Sequence, residues 1–131
     1  MFTHIKTCKE NREVVAKLTR KLNLGTENYI SRIALSHSLS NNIKLNLKDI
    51  KNSSGKEYTK SVLFGDYLDY YLGMVTLFYG IHITDKDLPK YIKMHIDDGL
   101  QLLNKEINLR SNIDGFDFLV EKIELGLKEL I

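Results

Sequence analysis

One cysteine, four histidines and three close carboxylate pairs are the residues of this 131-residue chain that could do covalent, acid–base or metal chemistry. Their spacing argues for none of these. His4, His37, His82 and His95 lie far apart, and Cys8 alone makes neither an internal disulfide nor part of a zinc-type set. A nucleophilic thiol needs a lowered pKa and a positioned base. Lys6 and Lys9 flank Cys8, but no base accompanies it, so it reads as a small residue at a strand end. His82 and His95 belong to no ligand or triad pattern and read as packed or solvated. Asp66 and Asp69, Asp85 and Asp87, and Asp97 and Asp98 read as helix caps and solvated helix surface. The sequence contains no glycine-rich phosphate loop. The expectation is a protein that binds rather than catalyses, with no cofactor and no metal.

Phosphate recognition asks for less: cations that can reach an array of negative charge. Residues 1–60 hold twelve Lys and Arg against five Asp and Glu, and residues 61–131 hold seven against twelve. A front half of +7 and a back half of −5 therefore hide behind the net charge of +2. The front could attract a polyanion that the back would repel. Lys6, Lys9, Lys17, Arg20, Lys21, Lys44 and Lys48 are the candidate nucleic-acid contacts, with Lys51, Lys56 and Lys60 in the same half. Lysine meets phosphate as a point charge, which favours backbone contact over base reading. The competing reading is that these cations solvate amphipathic helices, because asymmetry along a sequence says nothing about clustering in space. Thr26 and the amides after it could grip a phosphate at a helix N-terminus, though an ordinary cap is the simpler reading.

Positioning those cations requires elements, and the apolar pattern supplies them. Residues 2–7 alternate as a short strand. A helix follows over residues 10–23, with Val14, Val15, Leu18 and Leu22 as its stripe and Gly25 as its left-handed stop. Thr26 caps a second helix reaching about Ser38, on which Ile30, Ile33, Ala34 and His37 recur at helical spacing. Residues 39–65 loosen into a loop with room for a short strand over residues 58–64. A third helix from Tyr67 to Tyr79 has almost no polar face, which predicts that it is covered on most sides and forms the centre of the core. At about 20 Å it is too short to cross a hydrocarbon layer of roughly 30 Å. Its tyrosines could stack on bases, but the acids around them favour core or interface. Asp87 caps a fourth helix, with Pro89 in its first turn and Ile92, Ile96, Gly99, Leu100, Leu103 and Ile107 along one face. Gly99 permits a close helix contact there. Asp114 opens a last helix whose stripe is Phe116, Leu119, Val120, Ile123, Leu127 and Leu130.

The fold class expected is mainly α, a compact helical domain with a short N-terminal strand. No linker, repeat or low-complexity tract divides it, so residues 1–131 form a single domain. At 43% hydrophobic, the chain can bury about two-thirds of its unfolded surface without disulfides or metals. A lone cysteine and the absence of an apolar stretch in the first ten residues point to a cytoplasmic protein with no membrane association.

Three sets of short blocks are familiar. Thr7-Cys8-Lys9-Glu10, Leu22-Asn23-Leu24-Gly25-Thr26-Glu27-Asn28 and Ser31-Arg32-Ile33-Ala34-Leu35-Ser36-His37-Ser38-Leu39 resemble the amino-terminal signature of the DndE family. Gly55-Lys56-Glu57-Tyr58, Leu63-Phe64-Gly65-Asp66-Tyr67 and then His95 to Leu103 resemble its middle and distal blocks in the same order. The resemblance implies a small subunit of the DNA phosphorothioation system, in which sulfur replaces a non-bridging oxygen of the backbone. It implies work beside DndC and DndD, assembly into a homo-oligomer, with a tetramer expected, and a preference for nicked duplex DNA. Asp97 and Asp98 stand where the family leads one to expect a basic residue, which leaves the amino-terminal half as the better DNA candidate. The strand–helix–helix order of residues 2–38 also resembles ribbon-helix-helix proteins, whose strands pair between subunits. An adaptor that assembles the partner enzymes, its lysines serving solubility or an acidic protein surface, is the alternative. A self-sufficient nicking or sulfurating enzyme is a third, and it lacks a nucleophile. Arg32 could pair with an acid across a subunit contact instead of touching DNA.

Overall fold

Alternating residues become a strand only where another strand completes the hydrogen bonds, and the loop region supplies that partner. In the computed structural model, which describes residues 2–110 and 114–130, β1 (His4–Lys6) pairs antiparallel with β2 (Glu57–Thr59). Ile5 lies opposite Tyr58 and both point inward; Lys6 lies opposite Glu57 and both face solvent. β1 is thus paired within its own chain, where ribbon-helix-helix strands pair between subunits.

α1 (Asn11–Leu22) buries Val15, Leu18 and Leu22. Its left-handed stop is Asn23 (φ 51°) and not Gly25; asparagine tolerates this conformation better than most residues. α2 (Glu27–Ser40) follows, two residues longer than its pattern predicts. Thr26 occupies the cap position with extended backbone, but its side chain makes no cap hydrogen bond; its carbonyl accepts from the amides of Tyr29 and Ile30.

Residues 41–56 then form a strap with one 3-10 turn, Leu47–Asp49. The short strand expected over 58–64 stops at Thr59, whose hydroxyl accepts from the Val62 amide and starts α3 (Lys60–Phe64) instead. α4 (Leu68–Tyr79) is not the centre of the core as expected. Only Leu72 and Val75 are buried, while Tyr70 and Leu77 are 73% and 85% exposed, because α3 and α5 cover one side of it alone.

The spine of the molecule is α5 (Leu88–Asn108), whose predicted face, Ile92, Ile96, Leu100, Leu103 and Ile107, is wholly buried. Its most extensive packing is against α2. Gly99 makes this possible: a Cβ there would lie 1.8 Å from the Ala34 carbonyl oxygen. α6 (Gly115–Leu130) opens as expected on Asp114, whose carboxylate accepts from the Phe116 and Asp117 amides. Its expected stripe is covered only in part, with Leu119 and Val120 half-buried. Phe118 is buried, whereas Phe116, Ile123 and Leu127 are exposed, and the side chain of Leu130 lies outside the described residues. No helix among the described residues is long and apolar enough to cross a membrane.

Candidate nucleic-acid interface

The cations are held by the strap and by α1, and each is tied down differently. The strap is anchored at its far end to the start of the chain: the Lys9 amide donates to Asn52 Oδ1 at 2.9 Å and the Gly55 amide to the Thr7 carbonyl at 2.9 Å. Arg12 Nη2 donates to the Gly55 carbonyl at 2.8 Å. At its near end the Leu45 amide donates to Tyr79 Oη at 3.0 Å. Between these points Asn46 Oδ1 accepts from the Lys48 amide, closing a local turn. Lys44, Lys48 and Lys51 are therefore carried on a backbone pinned at both ends, with Lys9 beside one of them, and all four are exposed.

Of the sequence candidates, Lys9, Arg20, Lys21, Lys44 and Lys48 are exposed and join no ion pair among the described residues. Lys6 stands 4.0 Å from its cross-strand neighbour Glu57. Lys17 is occupied: its Nζ donates to Asn104 Oδ1 at 2.9 Å and Asn108 Oδ1 at 2.5 Å, clamping α1 to α5. Lys17 and Arg20 also line a surface hollow shared with Glu10 and Glu13, so charge there is mixed. Lys44 and Lys48 lie on the strap, Lys9 lies at the position whose amide holds Asn52, and Lys17, Arg20 and Lys21 lie on α1. Lys56 is taken up by Glu27 at 2.5 Å. Among the described residues Arg32 pairs with no acid; its guanidinium donates to the carbonyls of Leu63 and Val62 at the end of α3 and lies over the Tyr29 ring.

Beneath the strap lies a network that sequence spacing did not suggest. Asp97, read from sequence as surface, is 3% exposed. Its Oδ2 meets Lys93 Nζ at 2.6 Å, and its Oδ1 accepts from the Cys8 amide at 3.1 Å and Asn11 Nδ2 at 2.8 Å. Gln101 Nε2 completes Asn11 by donating to its Oδ1 at 2.6 Å. A buried carboxylate thus fixes the β1–α1 junction on α5. Cys8 is fully buried; burial, and then the Asp97 charge, hold its thiol pKa above the ordinary value, the opposite of what a nucleophile needs.

A second chain of hydrogen bonds leads to the strap. Ser38 donates its only hydroxyl proton to Asp98 Oδ2 at 2.7 Å, so His95 Nδ1 donates to Ser38 at 2.8 Å. His95 Nε2 is then the acceptor for Tyr79 Oη at 2.6 Å, and Tyr79 Oη accepts from Leu45. His95 is neutral in this arrangement, and burial lowers its pKa, opposed by Asp98. Nothing in the periodicity pairs Tyr79 with His95; the loop signals at Asn41, Asn42 and Asn52 were readable, the tethers of the loop at Leu45 and Asn52 were not. Among the described residues no three His, Cys, Asp or Glu side chains come together as metal ligands.

The model of the family of DNA sulphur modification protein DndE matches residues 4–111. The chain belongs to the DndE family. Among solved structures it is similar to DndE from Escherichia coli B7A, involved in DNA phosphorothioation modification, with a TM-score of 0.64 at 18% identity over 79% of this chain and 98% of that one. It is also similar to a DndE glycine-to-lysine mutant involved in DNA phosphorothioation, with a TM-score of 0.66 at 20% identity over the same shares. No curated protein matches the chain. The DndE match spans β1 to the end of α5, and α6 lies beyond it.

Proposed function

We propose that this DndE-family chain is a non-catalytic DNA-binding subunit of the phosphorothioation machinery. It contacts the backbone of duplex DNA, preferring nicked duplex, as a cytoplasmic homo-oligomer, with a tetramer the assembly expected, beside DndC- and DndD-like enzymes. The observation that carries this reading is the doubly tethered strap, on which Lys44, Lys48 and Lys51 are exposed and join no ion pair among the described residues, although Lys51 shares a hollow with Asp49, Asp97 and Asp98. Point charges on a pinned backbone suit phosphate, and a nick adds bending freedom that a backbone reader can use without touching bases. Repeating the strap in an oligomer would make weak contacts multivalent. The buried, raised-pKa Cys8 and the fully engaged His95 support a binding role over a chemical one.

One observation favours a second reading, an adaptor for the partner enzymes: Tyr67, Tyr70, Met74 and Leu77 form an exposed apolar face on and beside α4. Titrating intact and nicked duplexes over a salt series distinguishes the two. The DNA reading expects log affinity to fall with log salt by about 0.9 per phosphate neutralised, and Lys44→Glu/Lys48→Glu/Lys51→Glu to flatten that slope. Salt-independent binding, or loss of partner assembly with DNA affinity intact in the triple variant, would favour the adaptor.

A further inference from the structure

The strap runs between two hollows, and Leu45 and Asn46 line both. On one side about 200 Å³ is lined by Asp49, Asp97 and Asp98 with Lys51, Met94 and Gln101, and this surplus of carboxylates disfavours phosphate. On the other side about 390 Å³ is lined by Lys44, Leu47, Tyr79 and Tyr91 and by no acid. This second hollow forms because α4 ends on Tyr79 at the left-handed Gly80 (φ 64°), and the chain returns into the first turn of α5 with Tyr91 against Tyr79. The two rings stack with centroids 3.8 Å apart and planes 21° from parallel. Tyr79 is the fixed member: its hydroxyl is held between the Leu45 amide and His95, and Phe78 meets its ring edge-on. Tyr91 is the outer one. It is half-buried, and among the described residues it makes no second ring contact and its hydroxyl makes no hydrogen bond. Asn46 Oδ1 accepts from the Lys48 amide, while its Nδ2 donates to nothing among the described residues.

We infer that this hollow takes one unstacked nucleotide of the bound DNA, the terminal one at a nick, with its base on Tyr91. The inference rests on the DNA-binding reading above and adds a site to it. Each lining group suits one part of a nucleotide: the Tyr91 ring the face of the base, Lys44 the phosphate, and Asn46 Nδ2 an acceptor on the base edge. Stacking needs a platform and not an enclosure, and every base has a π-face, so such a site is indifferent to sequence. An open hollow buries too little of a free nucleotide to hold it; attachment to a duplex already gripped by the strap supplies the effective concentration instead. The nick supplies the nucleotide, because a strand end is free of the backbone on one side and leaves the stack at lower cost than a base within a continuous strand. The acidic hollow across the strap offers neither a ring nor a net positive charge, so the two sides of the strap are not equivalent.

Fluorescence anisotropy with nicked, intact and single-stranded DNA of one sequence tests it. Tyr91→Leu should lower affinity for nicked duplex at least about fivefold more than for intact duplex, and Tyr91→Phe, which keeps the ring, should not. With the unaltered protein, an abasic residue at the nick end, which keeps the phosphate and removes the base, should cost the same factor. Combined with Tyr91→Leu it should cost no more than either change alone. The abasic duplex needs no variant, so it decides the matter where Tyr91→Leu fails to fold. An unaltered ratio of nicked to intact affinity, with the salt dependence retained, would overturn the stacking site and leave the DNA reading standing; absence of DNA binding would overturn both. Single-stranded DNA bound as tightly as nicked duplex would overturn the nick as the source of the nucleotide.

Discussion

His95 is 0% exposed, and both of its ring nitrogens are taken, one by the Ser38 hydroxyl and one by the Tyr79 hydroxyl. Protonation would turn Nε2 into a donor and leave it facing a donor. Burial therefore lowers the His95 pKa from 6.5, with Asp98 opposing, and burial together with Lys122 lowers that of His37. The unfolded chain takes up these protons first, so the stability due to neutral His95 is complete above that ordinary value and declines as pH falls through it. Urea unfolding should accordingly give lower stability at about pH 5.5 than at about pH 7.5. His95→Asn should be less stable throughout but flatter across that range. A wild-type midpoint that rises on acidification would contradict the assignment. Asp97 carries the same lesson in reverse: adjacent aspartates before a glycine read as surface, and only the arrival of the β1–α1 junction on α5 encloses one of them with Lys93. Long-range enclosure leaves no mark in local spacing.

Elements with one distinct apolar face were legible, and elements without one were not. The Ile92 to Ile107 face of α5 and the permissive role of Gly99 follow from spacing alone, because twenty-one residues sample one face repeatedly. α4 misleads: its composition is apolar all round, so periodicity could not tell the covered side at Leu72 and Val75 from the open side at Tyr70 and Leu77. In α6 the strongest stripe is the exposed one, and the anchor is the off-stripe Phe118. Residues 58–64 hide a switch from strand to helix at Thr59, where one hydroxyl bond decides the outcome. The close crossing of α2 and α5 sets its own test. Gly99→Ala forces backbone against backbone at Ala34 and should cost about 1–3 kcal/mol by overpacking, measured by chemical denaturation. An unchanged midpoint would mean that the two helices can slide apart.

Across the whole molecule, the cations of the front half are carried by two different elements, the strap and α1. Counting charges could not reveal that Lys17 is clamped by two asparagines, that Lys56 at the end of the strap is neutralised by Glu27, or that Lys44, Lys48 and Lys51 join no ion pair among the described residues. These two regions should differ in weight. With a screening length of about 8 Å at physiological salt, Arg20→Glu/Lys21→Glu on α1 should lower DNA affinity less than reversal of Lys44, Lys48 and Lys51, as read by fluorescence anisotropy. Equal losses would place the interface on both. The position of α5 late in the chain has a further consequence, for biosynthesis. Helices α1 and α2 pack on each other, and α2 on α3, but the main partner of α2 arrives only when residues 88–108 have left the ribosome. Until then the side of α2 that packs on α5 stays uncovered, and consolidation of the nascent chain waits on the last helix of the shared body.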